Sequence, residues 1–473
     1  MNTPAKLVRG LSLLDSILLL AGGIIGSGVF LTAAEVAANT RTPMLFLLIW
    51  MIGMAITLPA CFAFAEMGAM FPEAGGQYVY LREAYGDFVA YLYGWMIFTV
   101  SVAGTIAALG AGFAEYIGKL IPSLSASHIV LVIPFTRVFS WLHDLEITRG
   151  HLVALAAIAI QTLINIFGVR RGAILQNIAT WAKFGAIGAF VILGLLLGKG
   201  SWSHYSVALP ATAATPSLLS GIGVALIAVF WAYDGWVYIT WVAGEVKEPA
   251  RNLPRTLVFG LLIVGALYLA INAVYLYALP MQDIAANTAV AQAAAASMFS
   301  ANAGRWLALL IAISCFGAMA SCIMSGARVY YAMAEDGVFF RSLAQVSPRW
   351  RTPARSLVLQ GVWAGALALS GGYNALFTYV MFMMVLSYGL TVAALFVLRR
   401  KLPHAPRPYI CPGYPWLPGL YLLISAAWTV NAVVTRREAA LWGILIVLLG
   451  MPFYVYWKWK GRAGNLLDAT AVK

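Results

Sequence analysis

Twelve apolar stretches divide this chain and limit it to folds that can live in a lipid bilayer. They run approximately over 12–37, 43–70, 88–118, 149–167, 173–198, 217–243, 255–280, 304–333, 355–370, 374–399, 416–434 and 439–458. A membrane helix takes roughly 20 apolar residues, and most of these stretches reach or approach that length. Of the 473 residues, 62% are hydrophobic and only 10% charged, which leaves too little polar surface for a soluble protein with this many segments. The expected class is an all-α membrane protein, read as one polytopic domain over 1–473. No cleavable signal peptide is expected, because Lys6 and Arg9 precede a full-length apolar segment.

The net charge of +13 would suit nucleic acid, but its placement argues for topology instead. An even number of spans puts both termini on one side. The basic connections fall on that side: Arg170 and Arg171, Lys247 to Arg255, Arg341 to Arg355, Arg399 to Arg407, and Lys458 to Arg462. Such asymmetry places the basic side, with both termini, in the cytoplasm of a cell (inner) membrane, and attraction to anionic lipid follows from it. The four cysteines, Cys61, Cys315, Cys322 and Cys411, have no metal-ligand spacing and form no disulfide framework.

Two connections on the opposite side are longer, 119–148 and 281–303. The second contains an alanine-rich run, 291–297, suited to a short surface helix. On the basic side, Gly75-Gly76-Gln77-Tyr78-Val79-Tyr80 leads into 81–85, too short to span and expected as an interfacial or re-entrant helix.

Two of the spans are interrupted. The first carries Gly22-Gly23-Ile24-Ile25-Gly26-Ser27-Gly28-Val29-Phe30, with four glycines in nine residues. Glycine costs a helix about 1 kcal/mol against alanine, and lipid offers no partner for freed backbone groups. A break at this depth is tolerated only where it faces protein or a water-filled cavity. Close helix packing through small residues suits the same run. The sixth span carries Phe230-Trp231-Ala232-Tyr233-Asp234-Gly235-Trp236, with a carboxylate that costs about 3 kcal/mol at mid-membrane. The first and sixth spans stand five apart, as in two five-helix halves that each open with a broken helix. Paired interruptions at corresponding positions are the best sequence pointer to a secondary-transporter site.

Four motifs then resemble the amino acid–polyamine–organocation transporters. They are Ile24-Ile25-Gly26-Ser27-Gly28-Val29-Phe30; Pro72-Glu73-Ala74-Gly75-Gly76-Gln77-Tyr78; Ala232-Tyr233-Asp234-Gly235-Trp236 with Gly244-Glu245-Val246-Lys247-Glu248-Pro249 and the residues to Arg255; and the run from Ser325 to Gly337. They occur in register over about residues 10–400. Within that superfamily the chain is most similar to the L-type amino acid transporters, especially bacterial members, and Cys315-Phe316-Gly317 adds to the similarity. The resemblance implies a LeuT-type 5+5 inverted repeat with 12 transmembrane helices, helices 1 and 6 broken: 12–199, then 217–399, then two added helices over 416–458. It implies secondary transport of amino acids by alternating access. The chain departs from eukaryotic members at Asp234, where they usually carry glycine. It also lacks a cysteine in 119–148, which animal members use to link a heavy chain, so no disulfide-linked heavy-chain partner is expected.

A free amino acid is a zwitterion and needs donors for its carboxylate and acceptors for its ammonium. Backbone N–H groups of Gly26, Ser27 and Gly28, at the positive end of the outer half-helix, suit the carboxylate. Carbonyls of Gly23, Ile24, Trp231 and Ala232 suit the ammonium. Trp231, Tyr233, Tyr238 and Met384 are candidates for the pocket wall, although each aromatic also suits ordinary helix packing or interfacial anchoring.

Lys183 lies deep in the fifth span, where snorkelling to the interface is awkward, and intramembrane ionisable residues are functional candidates by default. The resemblance implies an ammonium in the place of a sodium ion, touching the first helix, with Ser321 of the eighth helix as neighbour. Whether its proton is transported or its charge is fixed stays open. Asp234 has three readings: pairing with an inner-face or helix-8 donor, local hydrogen bonding at the break, or contact with the substrate ammonium. Glu66, Glu115 and Glu245, near helix ends, are expected to be solvated or paired, and Glu248, Arg251 and Arg255 to form a pairing network.

Other classes fit less well. A channel should show charged rings or pore-lining repeats. The histidines His128, His143, His151, His204 and His404 form no metal-ligand pair, and there is no nucleophile motif or phosphate-binding loop, so neither an enzyme nor a cofactor or metal is expected. A polyamine or other organocation transporter of the same fold remains as an alternative. The expected substrate is a neutral L-amino acid, moved by sodium-independent exchange or proton symport.

Overall fold

A computed structural model describes residues 7–134, 144–210, 217–287, 289–370, 373–435 and 437–460. It is almost entirely helical. In chain order the helices are α1 (Leu13–Ile24), α2 (Gly28–Leu31), α3 (Ala33–Thr40), α4 (Pro43–Met70), α5 (Gln77–Tyr85), α6 (Asp87–Met96), α7 (Val102–Leu120), α8 (Arg149–Ile166), α9 (Val169–Leu197), α10 (Leu218–Tyr233), α11 (Tyr238–Trp241), α12 (Pro249–Ala278), α13 (Met281–Ala286), α14 (Val290–Met298), α15 (Ala301–Glu335), α16 (Ala354–Ser370), α17 (Tyr373–Lys401), α18 (Trp416–Thr435) and α19 (Arg437–Leu448). Nine helices among the described residues are long and apolar enough to cross a bilayer. Helices also occupy the other predicted segments. The sixth of the twelve predicted segments, 217–243, is divided between α10 and α11.

Local chemistry sets several starts. Ser12 caps α1 in a reciprocal box with Asp15, and Thr148 does the same for α8 with His151. Thr42 caps α4, with Pro43 in the first turn, where its missing N–H costs nothing. The interior is built on α1, which packs against α9, α12 and α15, while α12 packs on α4 and α15 on α7. Helix α9 has an exposed apolar side, where Ile174, Ile178, Trp181 and Ile192 are each more than half exposed.

The short elements have distinct roles. Helix α5 begins at Gln77 and buries six of its nine residues, among them Gln77, Tyr78 and Tyr80, so it is packed into the bundle rather than lying open at the surface. The alanine-rich run forms α14. Unforeseen from sequence, the connection 119–148 contains an antiparallel hairpin of β1 (Ile129–Ile133) and β2 (Leu145–Thr148), with Ile129 opposite Thr148 and Ile133 opposite Leu145.

Candidate functional site

The two interruptions meet. Helix α1 stops at Ile24 and the chain resumes helix at Gly28; α10 stops at Tyr233 and α11 starts at Tyr238. A Cβ on Gly28 would stand 2.7 Å from the Ala232 Cα, closer than real side chains approach, so only glycine admits this helix contact. At the second crossing Gly235 holds φ at 102°, and a Cβ there would lie 2.8 Å from the Gly23 carbonyl oxygen. Gly22 is a packing residue: its missing Cβ leaves room for Gln176 and Thr180 of α9.

Backbone groups at the breaks are partly spent. The Gly26 N–H donates to Ile24, and the Asp234 N–H to Trp231. The Tyr268 hydroxyl, from α12, lies 2.8 Å from the Ala232 carbonyl oxygen and 3.1 Å from that of Ile24. A phenol has one proton to donate, so it serves these two carbonyls one at a time and ties both broken helices to α12. Sequence reasoning missed Tyr268; a tyrosine deep in an apolar span was the available signal, since its hydroxyl needs a buried partner. Ser27 Oγ, by contrast, is buried with no partner among the described residues.

Lys183 reaches α1 directly. Its Nζ donates to the carbonyl oxygens of Gly22 at 2.8 Å and Ile25 at 2.6 Å, and the residue is only 4% exposed, so the stem does not snorkel. One face of α9 reads along α1: Asn177 donates to Asp15, Thr180 to the Leu18 carbonyl, and Lys183 to the end of the helix. The α15 residue that shares this end is Ser314, whose hydroxyl lies 2.9 Å from the Ile25 carbonyl oxygen and 3.1 Å from that of Gly26. Ser321, the expected neighbour, sits two turns further along the same face and donates to Leu19 instead.

Asp234 faces the other way, toward α17. The Tyr388 hydroxyl donates to it at 2.5 Å, a partner from neither the inner face nor the eighth helix, and the Gly235 N–H bonds it locally. Met384, one turn before Tyr388, accepts from Ser101. Asp234, Met384 and Tyr388, with Tyr233, Trp236 and Trp428, line a cavity of about 30 Å³ between α10, α17 and α18. The wall candidates therefore divide. Tyr233 and Met384 border this cavity, with the Tyr233 hydroxyl donating to Trp50, whereas Tyr238 packs against Gly23. Trp231 is buried in the last turn of α10.

The carboxylates near helix ends are all paired, two of them in the interior and two at the surface. Glu66 is fully buried and holds Arg399 and Arg407 together with the Cys411 N–H. Glu245 forms an ion pair with Arg328 at 2.7 Å, both side chains at 0% exposure. Glu115 pairs at the surface with Lys119, and Glu248 with Arg251.

A helical membrane protein in which two broken helices meet over a buried polar site is built as secondary transporters are. The chain belongs to the amino acid permease family, which it matches over residues 11–455, within the amino acid–polyamine–organocation superfamily. It is 31% identical over 451 residues to the serine/threonine exchanger SteT of Bacillus subtilis, covering 95% of this chain and 96% of that one. Identity to the human b(0,+)-type amino acid transporter 1 is 30% over 453 residues, 95% of this chain and 88% of that one. To the human large neutral amino acids transporter small subunit 2 it is 27% over 464 residues, 96% and 82% of the two chains. The family consists of transporters, not enzymes.

Proposed function

We propose that this chain is a secondary active transporter that moves neutral L-amino acids by alternating access, without sodium. The observation that carries the proposal is the meeting of α1–α2 and α10–α11 around Gly28 and Ala232, with a buried Ser27 hydroxyl beside it that has no partner among the described residues. The N–H groups of Ser27 and Gly28, joined by that of Gly26 once it leaves the Ile24 carbonyl, would receive the carboxylate, and carbonyls of Gly23, Ile24, Trp231 and Ala232 the ammonium. Because Tyr268 already occupies the carbonyls of Ile24 and Ala232, an arriving ammonium would displace or join its hydroxyl. Trp231, Tyr233, Tyr238 and Met384 would set side-chain preference.

In this reading 12–199 and 217–399 are inverted repeats of a LeuT-type fold, 416–458 adds two helices, and both termini face the cytoplasm of the cell membrane. Lys183 supplies a fixed or exchangeable positive charge where sodium-coupled transporters bind an ion. Names of relatives favour exchange among neutral substrates, since one is a serine/threonine exchanger and another a transporter of large neutral amino acids. The latter is called a small subunit, a component of a larger assembly. The lack of a cysteine in 119–148 is the reason to propose that this chain works without a disulfide-linked heavy chain. Asp234, held by Tyr388, would act in gating between α10 and α17 rather than on the substrate.

A competition panel in proteoliposomes tests the substrate class. Neutral L-amino acids should inhibit uptake strongly. Inhibition by polyamines with none by neutral amino acids would move the chain to organocation transport, and non-saturable flux would make it a channel.

A further inference from the structure

Five arginines gather where two helical hairpins turn at the same membrane surface. Arg170 and Arg171 lie in the first turn of α9, Arg355 in the first turn of α16, and Arg349 and Arg351 in the loop before it; all five are exposed. The two turns are clipped together. The Thr352 hydroxyl donates to the Ile166 carbonyl at 2.8 Å, and Phe167 packs edge-on to Trp350, ring centres 5.5 Å apart. Within the second turn, backbone bonds join Ser347 to Thr352 and Arg351 to Ser347, and Arg351 is held at a left-handed φ of 55°. The Trp350 ring lies 5.0 Å from the Arg171 guanidinium and 4.6 Å from that of Arg349.

This arrangement runs against helix electrostatics. Cations are unfavourable in the first turn of a helix, whose N-terminus already carries partial positive charge. Here three arginines occupy the first turns of two long helices, and among the described residues no carboxylate pairs with any of the five. The cluster has the charge complementary to an anion, and helix N-termini add donors for one. What lies beyond it is apolar. From Arg170 and Arg171, the exposed Ile174, Ile178 and Trp181 continue along one face of α9. From Arg355, the exposed Val358 and Val362 continue along α16.

We propose that this cluster is a binding site for an anionic phospholipid, with Arg171, Arg349 and Arg355 on the phosphate headgroup, Trp350 at the interface level, and acyl chains along Ile174–Ile178–Trp181 and Val358–Val362. Basic pockets between membrane helices recognise such headgroups through this combination of charge and location. The apolar tracks select a lipid over a soluble phosphate. The site is independent of the transported substrate, so it stands or falls apart from the proposed function.

Native mass spectrometry of the full chain in detergent doped with phosphatidylglycerol or phosphatidylcholine tests it. The parent should retain phosphatidylglycerol preferentially. Combining Arg171→Gln, Arg349→Gln and Arg355→Gln should lower that retention about tenfold or more, given the strength of single arginine–anionic lipid contacts. The control, Arg9→Gln with Arg255→Gln and Arg400→Gln, removes the same charge from other exposed arginines and should change retention less than about twofold, far below the worth of one specific arginine contact. A triple Arg→Lys variant at the three cluster positions should keep most of the binding, and single glutamine variants give the same readout if the triple does not fold. Equal losses in cluster and control variants, no loss in either, or displacement of the lipid by millimolar glycerol phosphate would overturn the proposal.

Discussion

The Lys183 ammonium donates to the Ile25 carbonyl oxygen across 2.6 Å, at the residue where α1 ends. The last carbonyls of a helix carry partial negative charge and lack intrahelical partners. A cation placed there closes the broken end of the inner half-helix, and Ser314 shares the same oxygen. Transport by the parent should therefore persist when sodium is replaced by choline. Lys183→Ala should lose most uptake, because the buried Gly22 carbonyl then loses its donor, Ile25 keeps only Ser314, and the charge at the helix end is gone. Uptake assays in the two buffers check both statements; a strict sodium requirement, or a fully active alanine variant, contradicts them.

The close approach of Gly28 to Ala232 leaves no space for a methyl group. Gly28→Ala should abolish uptake while the protein still inserts and purifies. Gly185→Ala is the matched control, since a Cβ at Gly185 meets nothing within 4 Å, and it should transport normally. Parallel uptake and size-exclusion measurements on the two variants decide the point.

Tyr268→Phe removes one hydroxyl from between two buried carbonyls. Leaving buried acceptors unsatisfied costs about 1–3 kcal/mol. The variant should melt at a lower temperature, and added substrate should restore more stability to it than to the parent, because the substrate ammonium takes over the vacated carbonyls. Thermal melts with and without neutral amino acids measure this, and an equal substrate-induced shift in both proteins would sink the idea.

The Glu245–Arg328 pair joins α15 to the chain leaving α11, and the Glu245 carbonyl also accepts the N–H groups of Gly10 and Leu11. Removing one charge leaves the other buried and uncompensated, at a cost of about 3–5 kcal/mol. Arg328→Leu alone should destabilise strongly, and adding Glu245→Leu should recover part of the loss. Denaturation of the single and double variants tests the coupling.

Cys411 sits in the loop between α17 and α18, beside Glu66. Burial, reinforced by the Glu66 carboxylate, pushes its thiol up from 9.0 to about 12. The folded state thus prefers the protonated thiol. That contribution is complete below pH 9 and is lost as pH rises through about 12. Between pH 8 and 10.5 the parent's melting temperature should fall more steeply than that of Cys411→Ala; parallel slopes would contradict the assignment.

What was legible in the sequence follows from cost. Glycines in an apolar run, Asp234 beside Gly235, and Lys183 in mid-span are each expensive in lipid, and each marks a place where the helices are interrupted or tied together. Cheap polar residues were not legible. Ser314 and Ser321 share a helix face, and only the depth at which α15 crosses α1 places Ser314 at the Ile25 carbonyl. Tyr268 and Tyr388 required the rotation of α12 and α17 to be known. For Glu66 solvation and pairing were both open, because nothing in 399–411 announced that Arg399, Arg407 and the Cys411 N–H would fold over it. The β1–β2 hairpin hid in a connection whose run Ile129–Ile133 carries no turn signal of its own.

Counterflow in proteoliposomes reads out transport through the meeting point of the two broken helices. Vesicles holding the parent protein are loaded with an unlabelled neutral L-amino acid and diluted into sodium-free buffer containing a trace of the labelled compound. Label should accumulate transiently and saturably, with L-selectivity, and should not accumulate in vesicles carrying Gly28→Ala. No accumulation for any neutral amino acid, or the same accumulation with the Gly28 variant, would contradict a backbone site at the meeting of the two broken helices.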